Sequence, residues 1–561
     1  MSGSGALCDV SVNGTFRCPK WQRCCCPKWQ NGAVVDEAPR AAGFEQEWQF
    51  DAVDLRPVIV WLERPRDDGV VIASCGSKLQ TDLYIDSPDR RFHAAGVALR
   101  IRKADTSEAT LKSLDEADDS GLRVRREITE TISASSVDAL LAATGEVGRR
   151  VNDVAGRAPL IELFRVRTRR TRYDVGSIGT SIAEIVLDET TIRAEDGAHV
   201  RLRRVEVEAH EAVGAELAAF VDAFAKECGL HRARVSKYEV GLLSVTPPSV
   251  PFDLGPRLLS DEPKIAELAL VMLRGQVAAM LAAEPVARLG DDMEGVHRMR
   301  VAVRRIRAAV AIFAEALPPE FAARDDDFAW IGDVLGVVRD LDVQIDDFDL
   351  RTEAELGPLR DLLFEHRAAA RTAMIGALDS RRYETLVRHA TRLLRTRRGS
   401  RSPPATAALP ALMRRAVRRV RKAGTRATAA EATPEDLHVL RKRCRRLRYA
   451  LEFVAPLYPG ATDGLVKRLV RLQDLLGGHQ DAVVAIGRLH DLAVTSDNLP
   501  RETVFAMGRL AERRRERLGD ITERVRPALE AATGKRWKRL RKRIDASAPD
   551  IPTNVHTTAA S

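Results

Sequence analysis

The sequence predicts an α+β protein of two unlike halves. The first is an antiparallel β-barrel of about eight strands whose interior forms a tunnel, and the second an all-α helical bundle with an internal twofold repeat. Three observations carry this. Apolar and polar residues alternate at period two in segments from Phe44 to about Leu243; helical periodicity runs almost unbroken from Asp261 onward; and two blocks of the helical half match each other without a gap.

The strands are read from Phe44–Phe50, Leu83–Ile85, Val97–Arg102, the short ATLKSL segment holding Lys112, Leu122–Ile128, Leu163–Val175, Ile182–Leu187 and Val200–His210. Val137–Ala143 and Val213–Glu227 have helical spacing. Val245–Pro256 carries four prolines and a glycine and reads as an interdomain linker, and a second break rich in Gly, Ser and Pro spans Arg397–Pro410. The expected organisation is therefore an extension at 1–43, a barrel at 44–243, a linker at 244–260, a helical domain at 261–545 with repeats at about 261–396 and 411–545, and a disordered tail at 546–561.

The repeat is visible residue by residue. In Val296–Phe313 and Leu437–Val454, His297 matches His438, Arg300 matches Arg441, and Arg304, Arg305 and Arg307 match Arg445, Arg446 and Arg448, all at an offset of 141. The same offset aligns Leu335-Gly336 with Leu476-Gly477 and Asp340 with Asp481. On a helix, His297, Arg300, Arg304 and Arg307 fall within roughly an 80° sector. Met299, Val303, Ile306, Val310 and Phe313 lie opposite. The second block opposes His438, Arg441, Arg445 and Arg448 to Leu440, Cys444, Leu447 and Leu451. A solvated face ordinarily interleaves acids with its arginines; these stripes have none, and the arrangement occurs twice. A polyanion-binding surface follows, with arginine suited to phosphate because its planar fork makes two hydrogen bonds at once. The histidines are neutral hydrogen-bonders or added charge on protonation. Asp340 and Asp481 read as residues that orient arginines.

Composition limits the alternatives. The 561 residues are 45% hydrophobic and 30% charged, with a net charge of +9. That excess is local: thirteen Lys/Arg face three acids between Ala411 and Ala450. Aromatics at 5% count against single-stranded nucleic acid, whose bases stack on rings. No run of about 18 apolar residues suggests a membrane span, and the N-terminus lacks the basic start and apolar segment of a signal peptide. Cys75, Cys228 and Cys444 are scattered singly, as suits a reducing cytoplasm. In the first 43 residues Cys-Pro-Lys-Trp-Gln occurs twice, at Cys18 and Cys26. Cys18, Cys24, Cys25 and Cys26 are four thiols at spacings foreign to zinc sites, with no histidine near, so a disordered extension or sequence upstream of the true start is expected.

In the barrel half, charges recur at period two: Glu45 with Glu47, Arg100 with Arg102, Arg125 with Glu127, Arg165 with Arg167, and Glu206 with Glu208. One such pair is usually a solvent face; five of both signs point to a polar interior. Carboxylates with a few waters hold Mg²⁺ or Mn²⁺, and the cations clamp phosphate oxygens. No Walker-type glycine loop is present.

These residues resemble two families. The helical half, over roughly Pro263–Ile544, is similar to the CHAD family on both HxxR helices and on the segments Val334–Val343 and Leu475–Val484. That resemblance implies polyphosphate binding by His297, Arg300, Arg304, Arg307, His438, Arg441, Arg445 and Arg448. The barrel half resembles the CYTH family of triphosphate tunnel enzymes. Glu45-Gln46-Glu47-Trp48-Gln49 stands where the family has ExExK, and Leu83–Lys103 resembles its YxDT…LRxR stretch. Val124–Glu130 resembles its RxExE strand with Thr129 at the last glutamate, Val205–His210 its late ExE strand, and Ser236-Lys237-Tyr238 its terminal SKY. The resemblance implies catalytic roles for Glu47 and Glu127, phosphate binding by Arg100, Arg102, Lys112, Arg125, Arg167 and Lys237, and Mg²⁺ or Mn²⁺ on Glu45, Glu47, Asp188, Glu206 and Glu208. It implies metal-dependent hydrolysis of inorganic triphosphate in the cytoplasm, with polyphosphate as partner and its granules as a place of association. Gln49 and Thr129 depart from the pattern and support the alternative of a polyphosphate-binding protein without catalysis.

Overall fold

The computed structural model describes residues 44–546 apart from 67–68, 104–105, 119, 178–179, 195–198, 211–212, 244, 246–252, 349–352, 396–401 and 497. The cysteine-rich extension, most of the proline-rich linker and the C-terminal tail lie outside the described residues. The elements of the first half are β1 (Phe44–Asp51), α1 (Arg56–Glu63), β2 (Val71–Asp86), α2 (Arg91–Ala94), β3 (Val97–Lys103), β4 (Ser107–Ser113), β5 (Leu122–Ile132), α3 (Val137–Leu141), α4 (Glu146–Ala155), β6 (Ile161–Ser177), β7 (Thr180–Ala194), β8 (His199–Ala209), α5 (Ala215–Glu227), β9 (His231–Arg232) and α6 (Lys237–Leu243). Those of the second are α7 (Ile265–Leu289), α8 (Met293–Ile312), α9 (Pro319–Ala322), α10 (Asp325–Asp347), α11 (Gly357–Leu378), α12 (Arg381–Arg395), α13 (Ala405–Ala427), α14 (Pro434–Val454), α15 (Asp463–Thr495), α16 (Arg501–Thr533) and α17 (Lys535–Ala546).

Eight strands run antiparallel in the order β5-β4-β3-β2-β6-β7-β8-β1, and pairing of β5 with β1 closes them into a barrel; the two-residue β9 adds to β1. Closure removes the free edges that an open sheet would present. The register fixes which parity faces in. Glu47 lies opposite Glu208 and Gln49 opposite Glu206, Arg100 opposite Thr110, Lys112 opposite Glu127, and Arg170 opposite Asp188. Outward parity carries Trp48, Phe50, Tyr173, Ile185 and Val207, which pack with Trp61 of α1 and Phe224 of α5. One end of the interior is apolar: Tyr84, Phe164, Val166 and Ile192 meet Tyr238 of α6. The remaining interior is charged.

Two elements differ from their sequence reading. β2 starts at Val71, twelve residues before Leu83, because Val71–Leu79 is solvent-exposed on both faces and so shows no alternation, yet pairs with β6 along its length. Helix α13 begins at Ala405, inside the expected break, and takes Pro410 into its second turn; the ring is buried in the core, which offsets one lost backbone hydrogen bond.

The helical half has a main core and a smaller apolar cluster where α10, α11, α15 and α16 meet. The apolar backs of the two basic helices are inside the main core: Met299, Val303, Ile306 and Phe313 of α8, and Leu440, Cys444, Leu447 and Leu451 of α14. Helix α7 alone among the described residues is long and apolar enough to cross a membrane, and Leu268, Leu273 and Met280 along it are fully buried in this core. Helices α7 and α13 begin 140 residues apart (265 to 405), and α8 and α14 begin 141 apart (293 to 434).

Helix α4 joins the halves. Arg288 at the end of α7 is almost wholly buried and donates to the Asp153 carbonyl at 3.1 Å while pairing with Glu284 at 2.8 Å and Asp379 at 2.9 Å. Arg150 and Arg126 both reach Asp291, at 2.6 and 3.0 Å. Removing one member of a buried ion pair strands the others. Arg288→Ala is therefore expected to destabilise the protein by about 3–5 kcal/mol, read as a fall in the urea midpoint; an unchanged midpoint would show that the network contributes nothing net.

Candidate functional site

The interior charges form two linked groups. In the first, the Lys112 ammonium contacts the Glu45 carboxylate and lies 3.4 Å from both Glu47 and Glu127. Arg125 donates to Glu47 Oε1 at 3.0 Å, and Arg100 to Glu127 at 3.2 Å. Arg102 forks onto Asp82 at 2.8 and 3.1 Å. In the second, Arg170 grips Asp188 at 3.0 and 2.7 Å and Glu206 at 2.7 Å. Lys237, the first residue of α6, also contacts Asp188 and lies 2.9 Å from Glu206. Its placement is local chemistry: Ser236 and Glu239 cap the helix reciprocally, at 2.6 and 3.2 Å, while Tyr238 enters the apolar plug. Gln49 bridges the groups, donating to Glu47 at 3.1 Å and Glu206 at 3.4 Å. Thr129 pairs with the Thr110 hydroxyl at 3.2 Å.

The electrostatics divide the carboxylates. Burial works against ionisation of Glu206, but Lys237 and Arg170 outweigh it and hold its carboxyl far below the usual range. Glu127 is lowered in the same way by Arg100 and Lys112. Glu45 goes the other way: burial, then repulsion by Glu47, Glu127 and Glu208 against the single opposing pull of Lys112, pushes it up to about 7. Burial and Glu47 likewise raise Glu208. One side of the interior thus holds carboxylates short of positive charge, and the other holds cations already matched by carboxylates.

The helices build a second site. Arg300 pairs with Asp340 at 2.7 Å, and its counterpart Arg441 lies 3.9 Å from Asp481. Gly336 and Gly477 make room beside them: a Cβ at either would come within 3.3 and 3.6 Å of the guanidinium of Arg300 and Arg441. Among the described residues no carboxylate pairs with Arg304 or Arg445, and Arg304 Nε is buried without a partner. Burial, then repulsion by Arg304, Arg441 and Arg300, pushes Arg445 down to about 10; burial and repulsion by Arg300, Arg441 and Arg448 lower Arg304 too. Arginines of both helices therefore converge in one field. His438 bonds Gln480 at 2.7 Å.

The CYTH domain family model matches residues 69–241, and the CHAD domain family model matches residues 271–490. The chain is a CYTH domain followed by a CHAD domain. It is 28% identical over 545 residues to an uncharacterized protein of Mycobacterium tuberculosis, covering 91% of this chain and 99% of that protein. Among solved structures, the CHAD domain from the plant Ricinus communis is similar at 28% identity and TM-score 0.45, covering 50% of this chain and 98% of that one. A putative adenylyl cyclase from Hippeastrum, described as having a dominant triphosphatase activity, is similar at 19% identity and TM-score 0.27, covering 36% of this chain and 98% of that one.

Of the residues expected in the CYTH interior, Glu45, Glu47, Arg100, Arg102, Lys112, Arg125, Glu127, Asp188, Glu206, Glu208 and Lys237 all face it. Arg167 does not. It lies opposite Thr191 on the outward face, with Arg165 and Arg169, and all three are exposed. Arg170 is the β6 arginine that reaches the interior; Arg172 shares its parity but is exposed, pairing with Glu184 at 2.5 Å. Asp82, Arg170 and Glu184 are among the interior charges that the sequence reading passed over. In the CHAD domain the stripes are not wholly free of acid. Arg307 forks onto Asp325 at 3.0 Å, and Arg448 lies 3.6 Å from Glu452. Asp325 comes from α10, which helix spacing within the matched blocks does not reveal; Glu452 lies inside the second block, four residues after Arg448, where the same spacing places it beside the stripe.

His297 is held neutral: burial, then Arg339, Arg304 and Arg300, push it down to about 4. The unfolded chain, with its histidine near 6.5, binds the proton first, so this contribution to stability is complete above about pH 6.5 and is lost as pH falls toward about 4. The loss should be on the order of 2 kcal/mol. His297→Gln should flatten the fall of the melting temperature over that window; a curve parallel to wild type would refute it.

Proposed function

We propose that the CYTH barrel hydrolyses inorganic triphosphate with Mg²⁺ or Mn²⁺, and that α8 and α14 of the CHAD domain, as two copies of one repeat, hold polyphosphate together. The observation that carries the first part is the divided interior, with underneutralised Glu45 and Glu208 beside Glu47, against Arg100, Arg102, Arg125, Lys112 and Arg170. Among the described residues no preformed cluster of three or more His, Cys, Asp or Glu stands ready for a metal. The donors nonetheless suit a hard divalent cation. Glu45, Glu47 and Glu208 are oxygen ligands whose mutual repulsion such an ion relieves, and Mg²⁺ completes its shell with water and substrate phosphate. When bound it neutralises charge on the transferred phosphoryl group and polarises its oxygens.

The chain's own residues supply the rest. Arg100, Arg102 and Arg125 have guanidiniums in the interior that donate to phosphate oxygens in exchange for their present carboxylate partners. Lys112, among three glutamates, is placed to follow the negative charge of the substrate. Glu127, held ionised by Arg100 and Lys112, accepts a proton from an attacking water. Arg170, Asp188, Glu206 and Lys237 form a closed ionic network that orients the far wall. A phosphate-release assay on tripolyphosphate with each metal tests the reading: metal-dependent release supports it, and no release with either metal refutes it.

The binding-only reading draws on Gln49, which keeps hydrogen-bond donors but no charge where a lysine would sit. Gln49→Lys is expected to tighten tripolyphosphate several-fold, about 1 kcal/mol for one added charge-assisted contact. Under the enzyme reading phosphate release at low substrate rises with it. Tighter binding without release would favour the binding-only protein, and no tightening would show that position 49 does not meet the substrate.

A further inference from the structure

A cavity of about 490 Å³ opens between α13, α14 and the C-terminal end of α8, away from the residues assigned to polyphosphate. Four arginines line it, Arg415 and Arg419 from α13 and Arg443 and Arg446 from α14, together with an apolar wall of Ile312, Leu412 and Leu447. One acid, Glu315, lines it too and pairs with Arg415 at 3.0 Å. Among the described residues no carboxylate pairs with Arg419, Arg443 or Arg446.

The matching positions of the first half, 141 residues earlier for α14 and 140 earlier for α13, show how differently the same groove can be filled. Arg446 corresponds to Arg305, and Arg305 is neutralised by Glu452 at 2.7 Å. Glu452 itself corresponds to Ala311, which lines the cavity beside Arg446. Arg443 and Arg419 correspond to Ala302 and Ala279, which line the equivalent groove of the first half. Arg415 corresponds to Gly275, which carries no charge. The first half therefore cancels or omits each charge, whereas the second gathers four guanidiniums, of which Glu315 pairs with Arg415, and lacks the acid that would quench Arg446. Burial and repulsion by Arg443, Arg419 and Arg307 make the ionised Arg446 costlier still. A bare phosphate polymer would leave the hydrocarbon wall wet, so the pairing of fork donors with apolar surface selects a ligand that has both features.

We propose that this cavity binds an organic phosphate with an apolar body, the phosphate on Arg443 and Arg446 and the hydrocarbon against Ile312, Leu412 and Leu447. Octyl phosphate below its micellar concentration, titrated calorimetrically into the full chain, should bind one to one and at least tenfold more tightly than methyl phosphate. Ala311→Glu, at an exposed helical position, should restore the missing acid and weaken octyl phosphate at least tenfold; Arg446→Ala should do the same. Long-chain polyphosphate should bind Ala311→Glu as it binds wild type, which separates this site from the α8 and α14 stripes. Equal affinity for octyl and methyl phosphate, full binding by Ala311→Glu, or loss of octyl phosphate binding in Arg304→Glu instead would each overturn the assignment.

Discussion

Glu47→Gln is expected to lower metal-dependent phosphate release from tripolyphosphate by at least about a hundredfold, the scale set by removing one preorganised charge from a catalytic centre. Glu47 is almost fully buried and holds the middle of the interior. Its Oε1 accepts from Arg125 at 3.0 Å and from Gln49 at 3.1 Å, and Lys112 lies 3.4 Å away. Glutamine is nearly isosteric and keeps an acceptor oxygen for Arg125, so the wall should stand while the negative charge is lost. Two consequences separate chemistry from collapse. The melting temperature should stay close to wild type, and raising the metal concentration should recover little activity. A variant that keeps activity within tenfold would remove Glu47 from the machinery.

How much of this interior could be read from the chain depended on whether one face kept one character. On β1 it did: Glu45, Glu47 and Gln49 alternate with buried Trp48 and Phe50, so parity is unambiguous. On β6 it did not. The residues of inward parity, Phe164, Val166, Thr168, Arg170 and Arg172, change from apolar to basic along the strand, while the outward ones change from Arg165, Arg167 and Arg169 to Tyr173 and Val175. An apolar plug fills one end of the barrel, and α1 and α5 cover the outside only near the other, so each face is apolar for half its length. Period two then assigns Arg167 inward with as much reason as Arg170. Asp82 was hidden differently, as a buried acid just after the exposed run of β2, with no charge two residues away on its own strand to mark the face. The basic helices were legible because burial on one side spans their whole length, so the 3.6 period never changes phase. What helix spacing cannot show is a partner from another element, which is how Asp325 reaches Arg307 and how α8 and α14 come to share one field.

That shared field sets opposite expectations for folding and binding at a single position. In the free protein Arg304 feels Arg300, Arg441 and Arg448, and Arg445 feels Arg304, Arg441 and Arg300, with no carboxylate among the described residues paired to either. Arg304→Glu, or Arg445→Glu, replaces a repulsive neighbour with an attractive one, so the melting temperature should rise. The same change removes a phosphate contact and adds a charge that repels the polymer. Long-chain polyphosphate should bind at least tenfold more weakly. Each lost contact should also flatten the plot of log affinity against log salt by about one unit, because one fewer counterion is released. Joining both reversals should not double the effect, since the two sites are coupled and each reversal partly neutralises the other's neighbourhood. Tripolyphosphate hydrolysis should stay near wild type, because the barrel interior shares no residue with this face. A solvated charged face predicts none of this pattern, only small changes in stability and salt-insensitive binding. The combination of a more stable protein with weaker, less salt-sensitive binding therefore distinguishes a polyanion site from a surface that happens to be basic; reversals that leave both the melting temperature and the salt slope where they were would refute it.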